Sequence, residues 1–394
     1  MQDLLASNRR IRAAYEGGKA DRVPIFPPIS WSPRRNILQE KPGGWRGEPD
    51  FIKVARLVEE HCDPVPSLGE VRPPAVWAPG SYQRFLEAPA QYIEELPAQK
   101  LGNGRNRQMT LLHTPKGDLR YVKEWEDGIE TVWDVEKPIK CVEDARRMLS
   151  VPYRFDRPDE KAWEPFRQYR AKMGRDFLTG GGVNSMVAML CGTMPFELLL
   201  EWVVTEREVL KALADAWLER VSEKAGYMLE HGVGPFWHFN GVERASPPMM
   251  GPKQWAEWVV PYDGKIMRMI RQRIPDAIIH VHCHGRVGTL LDSWIDMGVS
   301  STDPVEPPPQ GNIEMGEAKR RVAGRLTLWG NIEFADMEHC TPDQIEDKVR
   351  HALEDGGKQH TILFPSATPH ERHSGRFTAN AVRYIEAGLK YGQW

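Results

Sequence analysis

The chain is predicted to be an α/β protein, a (β/α)8 barrel with an irregular N-terminal extension. Three observations predict it: short apolar runs alternate with amphipathic stretches of helical length from about residue 165 onward; polar residues gather where those runs end; and no GxGxxG follows any of them. A doubly wound open sheet is the alternative, and its commonest use, dinucleotide binding, lacks that glycine signature.

Residues 1 to about 150 are rich in Pro, Gly and Trp and read as loops and short elements wrapped around something more regular. Within them, 21–28 reads as an early strand bounded by prolines and 130–138 as a hairpin arm. Candidate strands in the regular part are 176–183, 235–241, 277–283, 300–305, 325–330 and 361–364. Candidate helices are 195–204, 206–231, 252–272, 287–297, 342–355 and 378–391. The last-but-one opens with Thr341 as N-cap and Pro342 at the first helical position. The whole, 1–394, reads as one domain, with βα units over about 165–394.

Composition narrows the function. With 52 basic and 55 acidic side chains, a net charge of −3 and no long charged block, nucleic acid is not an expected partner. The start lacks an apolar leader core and no run of about 18 apolar residues occurs, so no membrane contact is expected and the cytoplasm is the expected compartment. Five widely spaced cysteines form no CxxC pair and read as reduced thiols.

In a barrel the strand ends share one face, where catalysis sits. His280, His282 and His284 alternate with Val281 and Cys283, so an extended backbone turns the three imidazoles to one side and the thiol to the other. An HxH pair at a strand end supplies two ligands to one metal ion; the competing reading is a set of histidines bonded within a polar core or to an anionic substrate. Asp303-Pro-Val-Glu306 follows the next strand and brings two carboxylates to the mouth on a proline-stiffened loop. Glu243, delivered by Trp237-His-Phe-Asn-Gly-Val-Glu243, is a ligand or a general base, against the alternative of a surface pair with Arg244. The expected site therefore has His282, His284 and Glu243 as metal ligands, Glu243, Asp303 and Glu306 as catalytic carboxylates, and Trp237, Phe239, Asn240, Asn331 and Ser366 as substrate contacts. Phe26, Trp31, Trp77 and Trp329 are further aromatic-wall candidates.

Taken in order, Gly192-Thr-Met-Pro-Phe-Glu197, Ser246-Pro-Pro with Pro261-Tyr262, His282-Cys-His-Gly285, Asp303-Pro-Val-Glu306, Glu317-Ala-Lys319, Gly330-Asn-Ile332 and Thr361-Ile-Leu-Phe-Pro365 make the sequence resemble the uroporphyrinogen decarboxylase superfamily. The resemblance runs over residues 10–390. It implies a (β/α)8 barrel with its site at the C-terminal mouth. The heme-pathway decarboxylase is the poorer match, because its Arg-Gln-Ala-Gly-Arg-Tyr signature is replaced by Pro28-Ile-Ser-Trp-Ser-Pro-Arg-Arg35. The branch of zinc-dependent cobamide methyltransferases and O-demethylases resembles this chain more. There the zinc ligands are His-x-Cys-Gly and a later Cys; here His282 and His284 stand at the first two positions and Ser366-Ala-Thr-Pro369 holds no thiol. The resemblance thus implies a zinc-dependent methyltransferase or O-demethylase component. Its substrate would be small and aromatic, and because no DxHxxG motif occurs, its corrinoid would travel on a separate protein. A decarboxylase or lyase acting on a small carboxylic acid, with or without metal, is the runner-up. A partner subunit without chemistry ranks third.

Overall fold

The computed structural model describes residues 4–30, 45–64, 71–78, 80–129, 131–174, 178–369 and 372–394. The first half is more regular than its composition suggests. It holds a five-stranded antiparallel sheet of β1 (Ile93–Glu95), β2 (Gln99–Gly102), β3 (Arg105–Leu112), β4 (Leu119–Glu126) and β5 (Val132–Glu136), in the order β1-β3-β4-β5 with β2 beside β3. The expected hairpin arm at 130–138 is β5, paired with β4. The rest of this sheet escapes pattern reading because its strands carry charge on both faces. Glu124, for instance, bonds Arg105 and Arg107 across the ladder. Helices Leu4–Glu16 and Pro49–His61 complete the extension.

The second half is a parallel sheet of β6 (Thr179–Asn184), β7 (Pro235–Asn240), β8 (Ile278–His282), β9 (Ser301–Val305), β10 (Thr327–Ile332) and β11 (Thr361–Pro365). Each strand pairs with its successor in the chain, giving the order β11-β10-β9-β8-β7-β6. This is the α/β barrel class, with helices between strands as expected. Of the early strand expected at 21–28, Ile25 bridges Leu363 of β11 in parallel, with Phe26 N donating to Leu363 O at 2.9 Å. The N-terminal segment therefore sits where a first barrel strand belongs. Among the described residues the ladder counts six strands and this bridge, not eight.

The parallel strands alternate between two cores. Trp237, Phe239, Ile279, Val281 and Leu328 point outward into the helix layer. Phe236, Ile278, Trp329, Ile362 and Phe364 point inward and pack with Ile11 and Ala14 of the first helix, which closes the N-terminal end of the strands. Parity is fixed partly by glycine. A Cβ at Gly181 would lie 2.6 Å from the Trp237 indole, so the ring has a place on that face only because none is there.

Expected helix 252–272 is two helices, Pro252–Trp258 and Asp263–Arg273, because Pro261 has no N–H to continue the ladder. Helix Met186–Thr193 was not expected; nearly every side chain in it is buried, so it shows no amphipathic stripe. The capping box of Thr341 and Gln344 opens Pro342–Asp355 as expected. No single helix among the described residues is long and apolar enough to cross a membrane.

Buried Asp263 ties two of these helices together, accepting from Ser185 Oγ at 2.5 Å and Met186 N at 3.0 Å. Burial pushes its carboxyl up to about 6, against those two bonds. A carboxyl raised on folding contributes stability that is present at pH 4 and lost as pH rises through 6, about 3 kcal/mol for a shift of this size. Urea-denaturation free energies should therefore show Asp263→Asn gaining on the wild type by about that amount between pH 4 and 7. Parallel pH curves for the two proteins would contradict this account of Asp263.

Candidate metal and substrate site

The parallel register sets the site. His238 of β7 is paired with His280 of β8, His280 with Ser301 of β9, and His282 with Asp303. These side chains share the inward face at the C-terminal ends of the strands, where a cavity of about 380 Å³ opens. Its walls include His238, Asn240, His280, His282, His284, Asp303 and Ser366, with Phe26, Trp329 and Phe364 as aromatic surface.

Asp303 is the hub. Its Oδ1 lies 2.7 Å from His280 Nε2 and its Oδ2 3.1 Å from His282 Nδ1. His280 is anchored on its other side, Nδ1 lying 2.8 Å from Ser301 Oγ, which donates to the Tyr15 hydroxyl at 3.0 Å. Burial works against the charge on Asp303, but the His282 and His280 charges and bonds outweigh it and hold the carboxyl well below the usual carboxylate range. Burial likewise opposes charge on His282; Asp303, then Glu243 and Glu306, overcome it and raise the imidazole to about 9. Asp303 pulls His238 in the same direction, but too weakly to prevail. Burial, reinforced by the His280 charge, depresses it to about 3, so its ring is neutral.

A pair of glutamates lies beside this hub. Glu306, almost fully buried, accepts from His284 Nδ1 at 2.8 Å and from Gly285 N at 2.5 Å, where a φ of 91° suits glycine. Glu333, just beyond β10, accepts from Ser366 Oγ at 3.1 Å through Oε2. Burial and the neighbouring Glu306 charge raise it to about 7 despite that bond.

Among the described residues, ligand atoms of His238, His280 and Asp303 lie within 4.8 Å of one another, close enough to share one metal ion. They fit a divalent ion chemically. Among the described residues His238 Nε2 is buried with no hydrogen-bond partner and its ring is neutral, while Asp303 is ionised.

Of the residues expected from the sequence, His282, His284, Asp303, Asn240 and Ser366 meet at this cavity, and Phe26 and Trp329 form its walls. Glu306 stands behind His284. Glu243, on the turn Val242–Ala245, acts on His282 through its charge and has a buried Oε2 without a hydrogen-bond partner among the described residues. Trp237 and Phe239 are corrected: as odd-numbered members of β7 they face the helix layer and are fully buried there. Asn331, next to last in β10, is half-buried and does not line the cavity, and Trp31 lies outside the described residues. Cys283 points into the outer core, its thiol pushed far up by burial, as strand alternation requires. Sequence reading missed His238, although sharing parity with Asn240 marked it as inward. It also missed Glu333, which no pattern singles out.

Parallel barrel-class topology and a histidine-rich mouth define a type of α/β protein, and the comparisons place it within that type. Residues 134–367, more than half of the chain, match the family model of uroporphyrinogen decarboxylase (URO-D), and the chain belongs to that family. It is 24% identical over 186 residues to "Uroporphyrinogen decarboxylase 1, chloroplastic" of Oryza sativa subsp. japonica, covering 47% of this chain and 40% of that protein. It is 22% identical over 189 residues to the uroporphyrinogen decarboxylase of Prochlorococcus marinus (strain NATL1A), covering 46% and 48%. The chain thus spans less than half the length of these relatives. A solved structure described as a methyltransferase from Methanosarcina mazei superposes over 98% of both chains with a TM-score of 0.53 at 17% identity, a likeness of fold.

Because the Glu306 charge helps hold Glu333 near 7, Glu306→Gln should lower the Glu333 carboxyl toward its ordinary value. Carbon-13 NMR of labelled glutamate carboxyls reads this; an unmoved Glu333 would show that burial alone sets it.

Proposed function

We propose that the chain is a zinc-dependent methyltransferase or O-demethylase component. On this reading it moves a methyl group between the oxygen of a small aromatic substrate and a corrinoid carried on a separate protein. The observation that supports it best is the convergence of His238, His280 and Asp303 in an aromatic-walled cavity of about 380 Å³. Zinc, when bound there, supplies Lewis acidity at a substrate oxygen, and imidazole and carboxylate donors keep it a stronger acid than thiolates do.

The protein's own residues do the rest. Phe26, Trp329 and Phe364 pack on an aromatic ring and exclude water. His282, with Nδ1 on Asp303, presents its remaining ring nitrogen as a donor to negative charge developing on the substrate oxygen. Asn240 and Ser366 offer hydrogen bonds to ring substituents. The Methanosarcina mazei structure that shares this fold is described as a methyltransferase, which agrees with this reading. The set expected from the sequence, His282, His284 and Glu243, is the second candidate for the metal. Its support is that a carboxylate anchors Nδ1 of each histidine, an arrangement typical of ligating imidazoles.

A decarboxylase is the alternative, supported by the names of the curated relatives and by the cationic His282, which suits a substrate carboxylate. Carbon dioxide release from an arylcarboxylate without any corrinoid would select it.

Chelator-stripped protein should lose methyl transfer from a methoxyarene to a methyl-accepting corrinoid protein, and one equivalent of zinc should restore it. Undiminished turnover in the metal-free protein would reject the proposal. Bound zinc should disappear in His280→Ala if the lower set holds it, and in His284→Ala if the upper set does.

A further inference from the structure

The β6 strand reads Thr-Gly-Gly-Gly-Val-Asn, and its middle glycines do different things. Gly181 makes room for Trp237 on the outer face. Gly182 is the register partner of His238 and therefore faces inward beside it. Nothing fills the place where its side chain would be: a Cβ there would meet only the His238 carbonyl oxygen, at 3.9 Å. Next to this gap is a chamber of about 410 Å³ between Gly180, Gly181 and Gly182 on one side and Arg72, Pro73, Pro74, Val76 and Trp77 on the other. His238 is a wall of both this chamber and the cavity described above. A smaller space of about 230 Å³, also lined by Trp77 and Gly182, shares Asn240 with that cavity.

The chamber's lining specifies a ligand. Prolines, Val76, Met228 and the Trp77 ring are apolar, yet the Trp77 indole N–H is buried with no hydrogen-bond partner among the described residues. Arg72 is exposed on the same segment, and no ion pair or hydrogen bond engages its guanidinium among the described residues. The guanidinium is a free cationic donor, and an anionic acceptor satisfies it best; the buried indole N–H is out of a ligand's reach.

We propose that this chamber, left open by Gly182, is a second substrate compartment that takes an apolar tail ending in a carboxylate, while the aromatic head occupies the cavity beyond His238. The compartment rests on the substrate class proposed above and extends it from a small methoxyarene to an aryl-alkanoate. Selectivity for such a substrate then comes from the β6 glycine and Arg72, which stand apart from the reacting atoms.

Two probes test it by isothermal titration with the zinc-loaded full-length protein: anisole, which has the head alone, and 5-(4-methoxyphenyl)pentanoate, which has head and tail. The wild type should bind the acid about tenfold or more tightly than anisole, from burial of the methylenes and pairing of the carboxylate. In Gly182→Leu that ratio should fall to near one, with Gly182→Ala intermediate; neither substitution has a backbone clash or a positive φ to unfold it. Arg72→Gln should weaken the acid and leave its methyl ester where it was. Anisole binding with no gain from the tail, or a ratio that survives Gly182→Leu, overturns the compartment and leaves the methyl-transfer reading standing. A tail-dependent gain lost in Gly182→Leu, with no methyl transfer from either probe, supports the compartment and counts against that reading.

Discussion

A buried carboxylate gripped by two imidazoles organises this protein. An ionised Asp303 in the interior is costly unless every lone pair is engaged, and the strand register delivers a histidine to each oxygen. The grip extends downward through Ser301 to the hydroxyl of Tyr15, on the helix that closes the N-terminal end of the strands. Burial holds the Tyr15 hydroxyl protonated, so the chain of contacts has a fixed lower end. A slip of one residue in β8 would turn Val281 and Cys283 inward and leave Asp303 without partners. The fold's register and the site's electrostatics are in this sense one constraint.

From that hub the interior separates into levels. Below it, Phe236, Ile278, Trp329 and Ile362 form a dry plug. At its level, neutral His238 and the ionised Asp303 stand side by side, a donor and a charge suited to an ion. Above it, Glu306, His284 and Glu333 form a second group, in which burial, reinforced by the Glu306 charge, makes Glu333 hold its proton so late. Chemistry that needs a Lewis acid and chemistry that needs a proton donor are thus separated by one strand-end layer.

How much of this was legible beforehand follows from what each signal encodes. Strand alternation located β7 to β11 to within a few residues, because buried parallel strands are short apolar runs bounded by turn residues. It also predicted that Cys283 would face away from the imidazoles. The same rule, misapplied to β7, put Trp237 and Phe239 at the substrate; bulk was read as pocket when parity assigned it to the outer core. The antiparallel sheet of the first half was hidden by cross-strand ion pairs such as Glu124 with Arg105 and Arg107. These leave strands that look like loops. Helix Met186–Thr193 was hidden for the opposite reason, since complete burial erases periodicity. Parity with Asn240 marked His238 as inward, but its convergence with His280 is a matter of register, a tertiary fact, and Glu333 emerges only through its proximity to Glu306.

The most direct measurement is X-ray diffraction from zinc-soaked crystals at wavelengths on either side of the zinc absorption edge. One strong anomalous peak is expected, bonded to Asp303 and His280, with His238 completing the protein ligands. A peak remote from Asp303, or none in crystals that diffract well and contain zinc in the surrounding liquor, would contradict it.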